Sequence, residues 1–203
     1  MEKKIKNEVS KHPYEPHISD GATKLIIGTM PPYRFCHKDR EQLSGEDVDF
    51  YYGSRDNSFW DIMGEIFNTE LCRVNSEKAV EERKKLLDSH NIGITDIVAS
   101  CVHKDRKSTD KALEEKEYRD IEKLLKAYPN IDELIYTSRS VVGMINEKVK
   151  RNHNWDVKGG KDGKIEINGK TYRVRVLYSP SPMALRAVSA EKRMERYKEV
   201  FGK

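Results

Sequence analysis

Four short segments that could bind a ligand each follow an apolar run of the sequence. They are rich in Gly, Pro, Ser and Thr: Gly28-Thr29-Met30-Pro31-Pro32, Ser100-Cys101-Val102-His103, Thr137-Ser138-Arg139-Ser140 and Ser179-Pro180-Ser181-Pro182. If the four apolar runs are parallel strands, the segments lie together outside the carboxyl ends of the strands, where open α/β sheets bind ligands. The sequence therefore predicts a single site formed by loops that are far apart along the chain.

One acidic residue lies inside an apolar run. Asp96 interrupts residues 92–99, and a buried carboxylate is costly unless it is paired or functional. Asp96 is therefore a candidate functional group, although an ion-paired or surface carboxylate fits the pattern equally well. His103, Asp105 and Arg106 follow at the same predicted edge, where an exposed charged loop is the simplest interpretation.

Sequence motifs for metal or cofactor binding are weak. Cys36-His37 with His12 and His17 matches no familiar metal-site spacing. Neither a Gly-x-x-x-x-Gly-Lys nor a Gly-x-Gly-x-x-Gly segment occurs, and no lysine stands in a position that would indicate Schiff-base chemistry. No metal or cofactor is expected.

The elements that must position the four segments alternate between strands and helices. Strands are predicted at residues 24–27, 92–99, 133–136 and 172–177. Helices are predicted from residue 58, over 76–89, from 108 to the residues before Pro129, through 141–149 and from 189. This alternation predicts an α/β protein, a three-layer α/β/α sandwich with a central four-stranded, mainly parallel sheet.

Three other segments have their own signals. Residues 1–22 predict an N-terminal arm, because two X-Pro pairs disfavour a helix there, and residues 23–203 predict one domain. The long irregular stretch 33–56 is typical of a functional loop. Asn168-Gly169, between two short strand-like runs, predicts a hairpin with a type I′ turn.

Composition limits the class of protein. Hydrophobic residues make up 36% of the chain and charged residues 35%, with no apolar run long enough to span a membrane and no secretory signal. Three cysteines are expected to be reduced thiols of a cytoplasmic protein, and a monomer is expected. From residue 133 onward, 16 Lys and Arg stand against 8 Asp and Glu. Such a basic third fits either a polyanionic partner or a solvated helical face.

Four motifs, in order, resemble those of the uracil-DNA glycosylase superfamily. They are GTMPP (28–32), YYGSRDNSFW (51–60), GITDIVASC (93–101) and VLYSPSPMALR (176–186). The likeness covers about residues 13–200 and is greatest to the mismatch-type uracil and hypoxanthine (deoxyinosine) glycosylase branch. The resemblance implies an enzyme without a cofactor that flips a deaminated base out of DNA, hydrolyses its N-glycosidic bond and leaves an abasic site.

The resemblance also implies which residues bind the flipped base. The family's first loop lines the base pocket, an aromatic ring stacks on the base, and the loop after the third strand forms a wall. The matching substrate-binding residues are Gly28, Thr29, Met30, Pro31, Tyr52 and Ser138. A Pro-stiffened turn and ordinary aromatic packing are the alternatives. Met30 stands where many members of the family carry an Asn or Asp that activates water.

Two residues are assigned to catalysis by the same resemblance. Asn57 belongs to the Asn-x-Phe-Trp element, which is implicated in catalysis in the hypoxanthine branch, and an amide can orient a water or hold a departing base. Its alternative role is to cap the helix that begins beside it. Asp96 could contact the base edge or assist the water.

The last motif implies contacts with the DNA backbone. In the family this loop pinches the DNA, and the apolar residue after it enters the duplex as a wedge. The matching DNA-binding residues are Ser179, Pro180, Ser181, Met183 as the wedge (or Leu185), and Arg186 on a phosphate. Ser179 replaces a His of other branches, and a Pro-rich strand exit is the alternative.

Three functions remain open at this point. The first is excision of hypoxanthine or uracil, with hypoxanthine favoured by Met30 and Asn57. The second is a catalytically silent nucleic-acid-binding member of the same fold. The third is a hydrolase of free nucleosides, which would need neither the Met183 wedge nor the basic carboxyl-terminal third.

Overall fold

The computed structural model describes residues 8–38, 42–149 and 161–202. Its strands and helices are, in chain order, β1 (Val9–Lys11), β2 (Lys24–Gly28), α1 (Tyr33–Cys36), α2 (Phe59–Ile66), α3 (Glu77–Ser89), β3 (Ile92–Asp96), β4 (Val98–His103), β5 (Leu113–Tyr118), α4 (Ile121–Ala127), β6 (Glu133–Tyr136), α5 (Arg139–Val149), β7 (Asp162–Ile167), β8 (Lys170–Val176) and α6 (Ala190–Phe201). Short 3-10 helices span Lys104–Arg106, Asp110–Ala112 and Pro182–Arg186. Within these ranges, no helix is long and apolar enough to cross a membrane.

The central sheet has five strands in the order β3-β2-β6-β8-β7. The first four run parallel, and β7 is antiparallel to β8. The prediction of a mainly parallel sheet is confirmed. The predicted count of four strands is wrong, because the first strand of the hairpin joins the sheet at its edge. At the turn, Asn168 and Gly169 have φ angles of 52° and 78°, as a type I′ turn requires.

Helices cover both faces of this sheet. Successive strand residues point to opposite faces, so Leu25 and Ile27 pack in an apolar cluster with α4 and α5. Ile26 points the other way and packs in a second cluster with α2, α3 and α6. The result is the predicted helix–sheet–helix layering.

A second, antiparallel sheet has the order β1-β4-β5 and corrects two predictions. Ser100–His103, predicted as a loop, belongs to β4, because the chain bends at Ile97 and leaves the parallel sheet. Residues 113–118, predicted as helix, form β5. Their charged sequence does not indicate a strand, and pairing with β4 stabilises it. The helix starts only at α4, where Asp120 Oδ1 accepts from the N–H of Lys123 at 3.0 Å.

The described part of the N-terminal segment lies against both sheets. β1 pairs with β4, the N–H of His12 donates to the carbonyl of Ala99 at 2.8 Å, and His17 exchanges two backbone hydrogen bonds with Ile94. We call residues 9–17 the N-terminal strap. The division into an arm (1–22) and a domain (23–203) stays a prediction, but the strap brings His12 to Asp96, at the carboxyl end of β3 where the candidate site lies.

Candidate active site

Gly28, Tyr52 and Asp96 meet at the carboxyl ends of β2 and β3. Gly28 and Asp96 are paired neighbours in the parallel ladder. A Cβ atom on Gly28 would overlap both Tyr52 Oη and Asp96 Oδ1. Only glycine allows these two oxygens to approach the backbone so closely. The structure therefore brings together three residues that the sequence placed in the site.

Tyr52 is held from two sides. Its backbone has a φ of 55°, its ring stacks on Phe59 with centroids 4.4 Å apart, and its hydroxyl lies 2.8 Å from Thr137 Oγ1. Burial, followed by the neighbouring Asp96 carboxylate, raises the pKa of Tyr52 well above its usual value, so the phenol stays protonated. Phe59 therefore covers one face of the ring.

Asp96 is paired with a residue that the sequence interpretation did not place in the site. His12 Nε2 lies 2.9 Å from Asp96 Oδ2, and their side chains are only 2% and 7% exposed. The pair excludes an exposed surface carboxylate, since the side chain is buried and paired, and a functional role for Asp96 stays a prediction. The sequence signal was the His12-Pro13 pair in the arm, which was interpreted only as a helix breaker or a weak metal ligand.

The loop after β2 is fixed through its backbone. The carbonyls of Gly28 and Thr29 accept from the N–H groups of Ile97 and Val98 at 2.9 and 3.1 Å. Met30 is half-buried and packs against the apolar cluster below the sheet. The Pro31 carbonyl lies 3.3 Å from His103 Nε2. This loop is therefore rigid, and none of its side chains can activate a water molecule.

A buried chain of side chains supports this loop from behind. Ser10 Oγ lies 2.8 Å from both His103 Nδ1 and His37 Nε2, and all three residues are buried. Because His103 Nε2 faces the Pro31 carbonyl, neutral His103 carries its proton there and accepts at Nδ1 from the Ser10 hydroxyl. Burial lowers the pKa of His103, and the nearby His37 adds to the effect. The chain ties β1, β4 and the end of α1 to the first loop.

The long connection of residues 33–56 is organised around one buried carboxylate. Asp47 accepts two hydrogen bonds from Arg34, at 2.8 and 3.0 Å, and one each from the backbone N–H groups of Ser44 and Arg55. Burial alone would raise the pKa of Asp47, but these hydrogen bonds hold it below its usual value. The described parts of this connection, residues 33–38 and 42–56, place Tyr52 at the strand ends.

Asn57 lies just before Ser58, the N-cap residue of α2, and bonds to the first turn of the helix. Its Oδ1 accepts from the N–H of Phe59, the first residue of α2, at 2.9 Å, which is a capping contact of the kind that the sequence left as an alternative. Among the described residues, nothing accepts a hydrogen bond from its Nδ2. The same contact that caps the helix fixes the amide plane and leaves Nδ2 as an oriented donor. The stacking of Tyr52 on Phe59 connects Asn57 to the Gly28–Asp96 pair.

The last loop is joined to the start of α2. The N–H and the hydroxyl of Ser58 both donate to the carbonyl of Pro180 at 3.1 Å. Ser179 Oγ and Ser181 Oγ lie 3.1 Å apart. Met183, in the 3-10 helix that follows, is 70% exposed, the largest exposure of any large apolar side chain among the described residues. The side chains of Leu185 and Arg186 lie outside the described part of the structure.

Ser138, after β6, is a polar group without a partner. Its Oγ is buried and makes no hydrogen bond with the described residues, while the neighbouring Thr137 bonds to Tyr52. A buried hydroxyl without a partner is uncommon and invites a ligand or a water. Two concavities of the described surface lie beside α2 and α3, and neither is lined by a predicted site residue. Tyr52 Oη itself occupies the space above Gly28.

Comparison with known proteins shows the fold. No family model matches the sequence, and no curated protein matches it significantly. Among solved structures, the chain is similar to the solution NMR structure of a protein from Methanosarcina acetivorans described as a "putative Uracil DNA glycosylase". The TM-score is 0.64 and the identity 19%, over 96% of this chain and 98% of that one. At this identity the likeness shows that the two chains share a fold over nearly their whole lengths.

Proposed function

We propose that this protein is a monofunctional DNA glycosylase that flips a deaminated base, hypoxanthine or uracil, out of DNA and hydrolyses its N-glycosidic bond. The observation that carries the proposal is the meeting of Gly28, Tyr52 and Asp96 at the carboxyl edge of the sheet. It is supported by the fold shared with the Methanosarcina protein. The four family-like motifs all lie on this edge or are joined to it.

The proposed reaction needs little base strength. The bond between C1′ and the base nitrogen breaks, water adds its oxygen to C1′, and the departing base takes a proton. Because such a transition state resembles an oxocarbenium ion, the Asp96 carboxylate would stabilise its positive charge and accept a hydrogen bond from the water. Asn57 Nδ2 would orient the water or the leaving base. The abasic site is the product.

The proposed pocket is formed by the residues around the strand ends. Gly28, Thr29, Met30 and Pro31 would line one side, with the Ser138 hydroxyl supplying a hydrogen bond. The face of the Tyr52 ring opposite Phe59 would stack on the base. Hypoxanthine is favoured over uracil, because Met30 cannot activate water and Ser179 lacks the cationic donor that would stabilise a uracil anion.

The proposed DNA contact is the last loop. Met183 is an exposed apolar side chain on a short helix, which is the kind of residue that separates a base step. Ser179, Pro180 and Ser181 would contact the backbone through hydroxyl and main-chain groups, and Arg186 would contact a phosphate.

The experiment is base release from duplexes that contain hypoxanthine or uracil, detected as strand cleavage after alkali. Asn57→Ala is expected to lower the single-turnover rate by about tenfold or more, whereas Asn75→Ala, at an exposed amide beside α3, is expected to leave it unchanged. Asn57→Ser keeps a capping oxygen but loses the amide donor. If Asn57→Ser restores full release, Asn57 acts only as a helix cap.

The second candidate, a silent nucleic-acid-binding protein, is favoured by two observations. Met30 packs into the core, and the Tyr52 hydroxyl fills the space above Gly28. Such a protein would bind DNA with an affinity that falls steeply with salt and would release no base. Binding measured at two salt concentrations, alongside base release, separates the two candidates.

A further inference from the structure

We infer that His12 is a positioning residue of the active site, which holds the Asp96 carboxylate so that Oδ1 lies beside Gly28 and Tyr52. The inference rests on the proposed function for the role of Asp96 in base release. It assigns to the N-terminal strap a part of the site that none of the four motifs contains.

The first observation is that Asp96 depends on His12. Among the described residues, His12 is the only hydrogen-bond donor to the Asp96 side chain. Both side chains are almost completely buried. A carboxylate at this depth is expensive unless a donor compensates for its lost hydration. His12 therefore supplies the contact that keeps an anion at the end of β3.

The second observation is that His12 donates in either protonation state. Its Nδ1 lies 2.9 Å from the carbonyl oxygen and 3.1 Å from the N–H nitrogen of Tyr14. Neutral His12 accepts there from the N–H, and protonated His12 donates there to the carbonyl. In both cases Nε2 carries a hydrogen that points at Asp96 Oδ2, so the orientation of the pair does not change.

The third observation is that the ring is locked in place. The N–H of His12 continues the β1–β4 ladder, and its ring packs 5.7 Å from Tyr14 and 5.4 Å from Tyr51. Tyr14 in turn donates to Asp49 at 2.8 Å, and Tyr51 to the carbonyl of Glu15 at 3.1 Å. A histidine fixed in this way fixes the rotation of the carboxylate that it binds.

The geometry leaves one oxygen for chemistry. With Oδ2 bound to His12, Oδ1 is the oxygen that lies against Gly28 and Tyr52, and none of the described residues donates to it. It can accept a hydrogen bond from a water molecule or from an N–H of a bound base. Without His12 the carboxylate would be free to rotate away from this position.

The test compares two replacements of His12 by single-turnover release of hypoxanthine and uracil. His12→Gln keeps a neutral N–H donor near the position of Nε2, and His12→Phe keeps the ring packing but removes the donor. We expect His12→Phe to lower the rate by about tenfold or more with DNA affinity unchanged, and His12→Gln to restore most of it. Full activity of His12→Phe, or an equal loss in folded His12→Gln, would overturn the inference.

A matched control lies on the same strap. His17 Nε2 also lies 2.9 Å from a carboxylate, Asp88 Oδ1, but those side chains are 23% and 42% exposed. His17→Phe is expected to leave base release unchanged. An equal loss in His17→Phe would show that the strap acts only through its overall stability, which contradicts the inference.

A spectroscopic readout separates this inference from the proposed function. In ¹⁵N-edited NMR, His12 is expected to show a slowly exchanging Nε2–H resonance that Asp96→Ala abolishes. If the wild-type protein releases no base, the proposed function fails while this resonance still supports the placement of His12. Absence of the resonance in the wild-type protein would overturn the placement, whatever the activity.

Discussion

Two histidine–carboxylate pairs on the N-terminal strap have the same length and very different surroundings. His12–Asp96 and His17–Asp88 both span 2.9 Å, but the first is almost fully buried and the second is open to solvent. The first ends at Gly28 and Tyr52 on the sheet edge, whereas the second joins the strap to the end of α3. Distance alone would assign them equal importance.

Burial, and not distance, determines how much such a pair contributes to stability and to the candidate site. An exposed pair contributes about 0–1 kcal/mol, because water screens the charges. A buried pair depends on both partners, and removing one leaves a charge that costs several kcal/mol. Loss of either partner of the buried pair is therefore expected to be costly, and under the inference above the pair fixes an oxygen at the candidate site. The exposed pair is its natural control.

The largest expected effect comes from a side chain placed at Gly28, where Tyr52 and the buried pair meet. Gly28→Ala places a methyl group on Tyr52 Oη and Asp96 Oδ1, so we expect base release to fall by about a hundredfold or more as the reacting groups are displaced. Gly45→Ala, where a Cβ meets nothing within 4 Å, is the control. Single-turnover rates of both variants check this, and normal activity of Gly28→Ala would rule out this location.

The next largest effect distinguishes the buried carboxylate, Asp96, from the exposed one, Asp88. Asp96→Asn is expected to lower base release by about tenfold or more, as the loss of an electrostatic contact does. Asp88→Asn should change neither release nor the free energy of unfolding by more than about 1 kcal/mol. Kinetics together with denaturant unfolding measure both. Equal effects of the two substitutions would contradict the distinction between the buried and the exposed pair.

The smallest effect concerns pH and another buried histidine. Burial lowers the pKa of His103 below its usual 6.5, so the unfolded chain binds this proton more readily than the folded one. The contribution is fully present above pH 6.5 and is lost as the pH falls from there through the lower folded-state pKa. Unfolding measured across this range should be less pH-dependent in His103→Gln than in the wild-type protein. An unchanged dependence in His103→Gln would contradict the assignment.

Much of the fold follows from local sequence signals. The parallel strands are short apolar runs, the hairpin turn needs the positive φ angles that Asn168-Gly169 adopts easily, and Ser76 and Ser189 cap their helices through side-chain oxygens. The strand β5 could not be predicted, because its sequence is mostly charged and only pairing with β4 makes it a strand. Tertiary contacts override local preference there.

The candidate site was predictable where strand ends determine it. Gly28 and Asp96 follow from the parallel arrangement, since neighbouring strands end at the same edge. His12 was missed because its role depends on β1 pairing with β4, a contact between residues about ninety positions apart. The double role of Asn57 also needed coordinates, because the sequence offered a cap and a donor as alternatives and the amide geometry allows both.

Base release by the wild-type protein and by one glycine variant tests the proposal that this sheet edge excises a deaminated base. Wild-type protein and Gly28→Ala are incubated, under single-turnover conditions, with duplexes carrying hypoxanthine or uracil, and alkali-sensitive sites are counted over time. We expect the wild-type protein to form abasic sites, with the highest rate for hypoxanthine, and Gly28→Ala to form almost none. No release by the wild-type protein from either base, or equal release by both proteins, would contradict it.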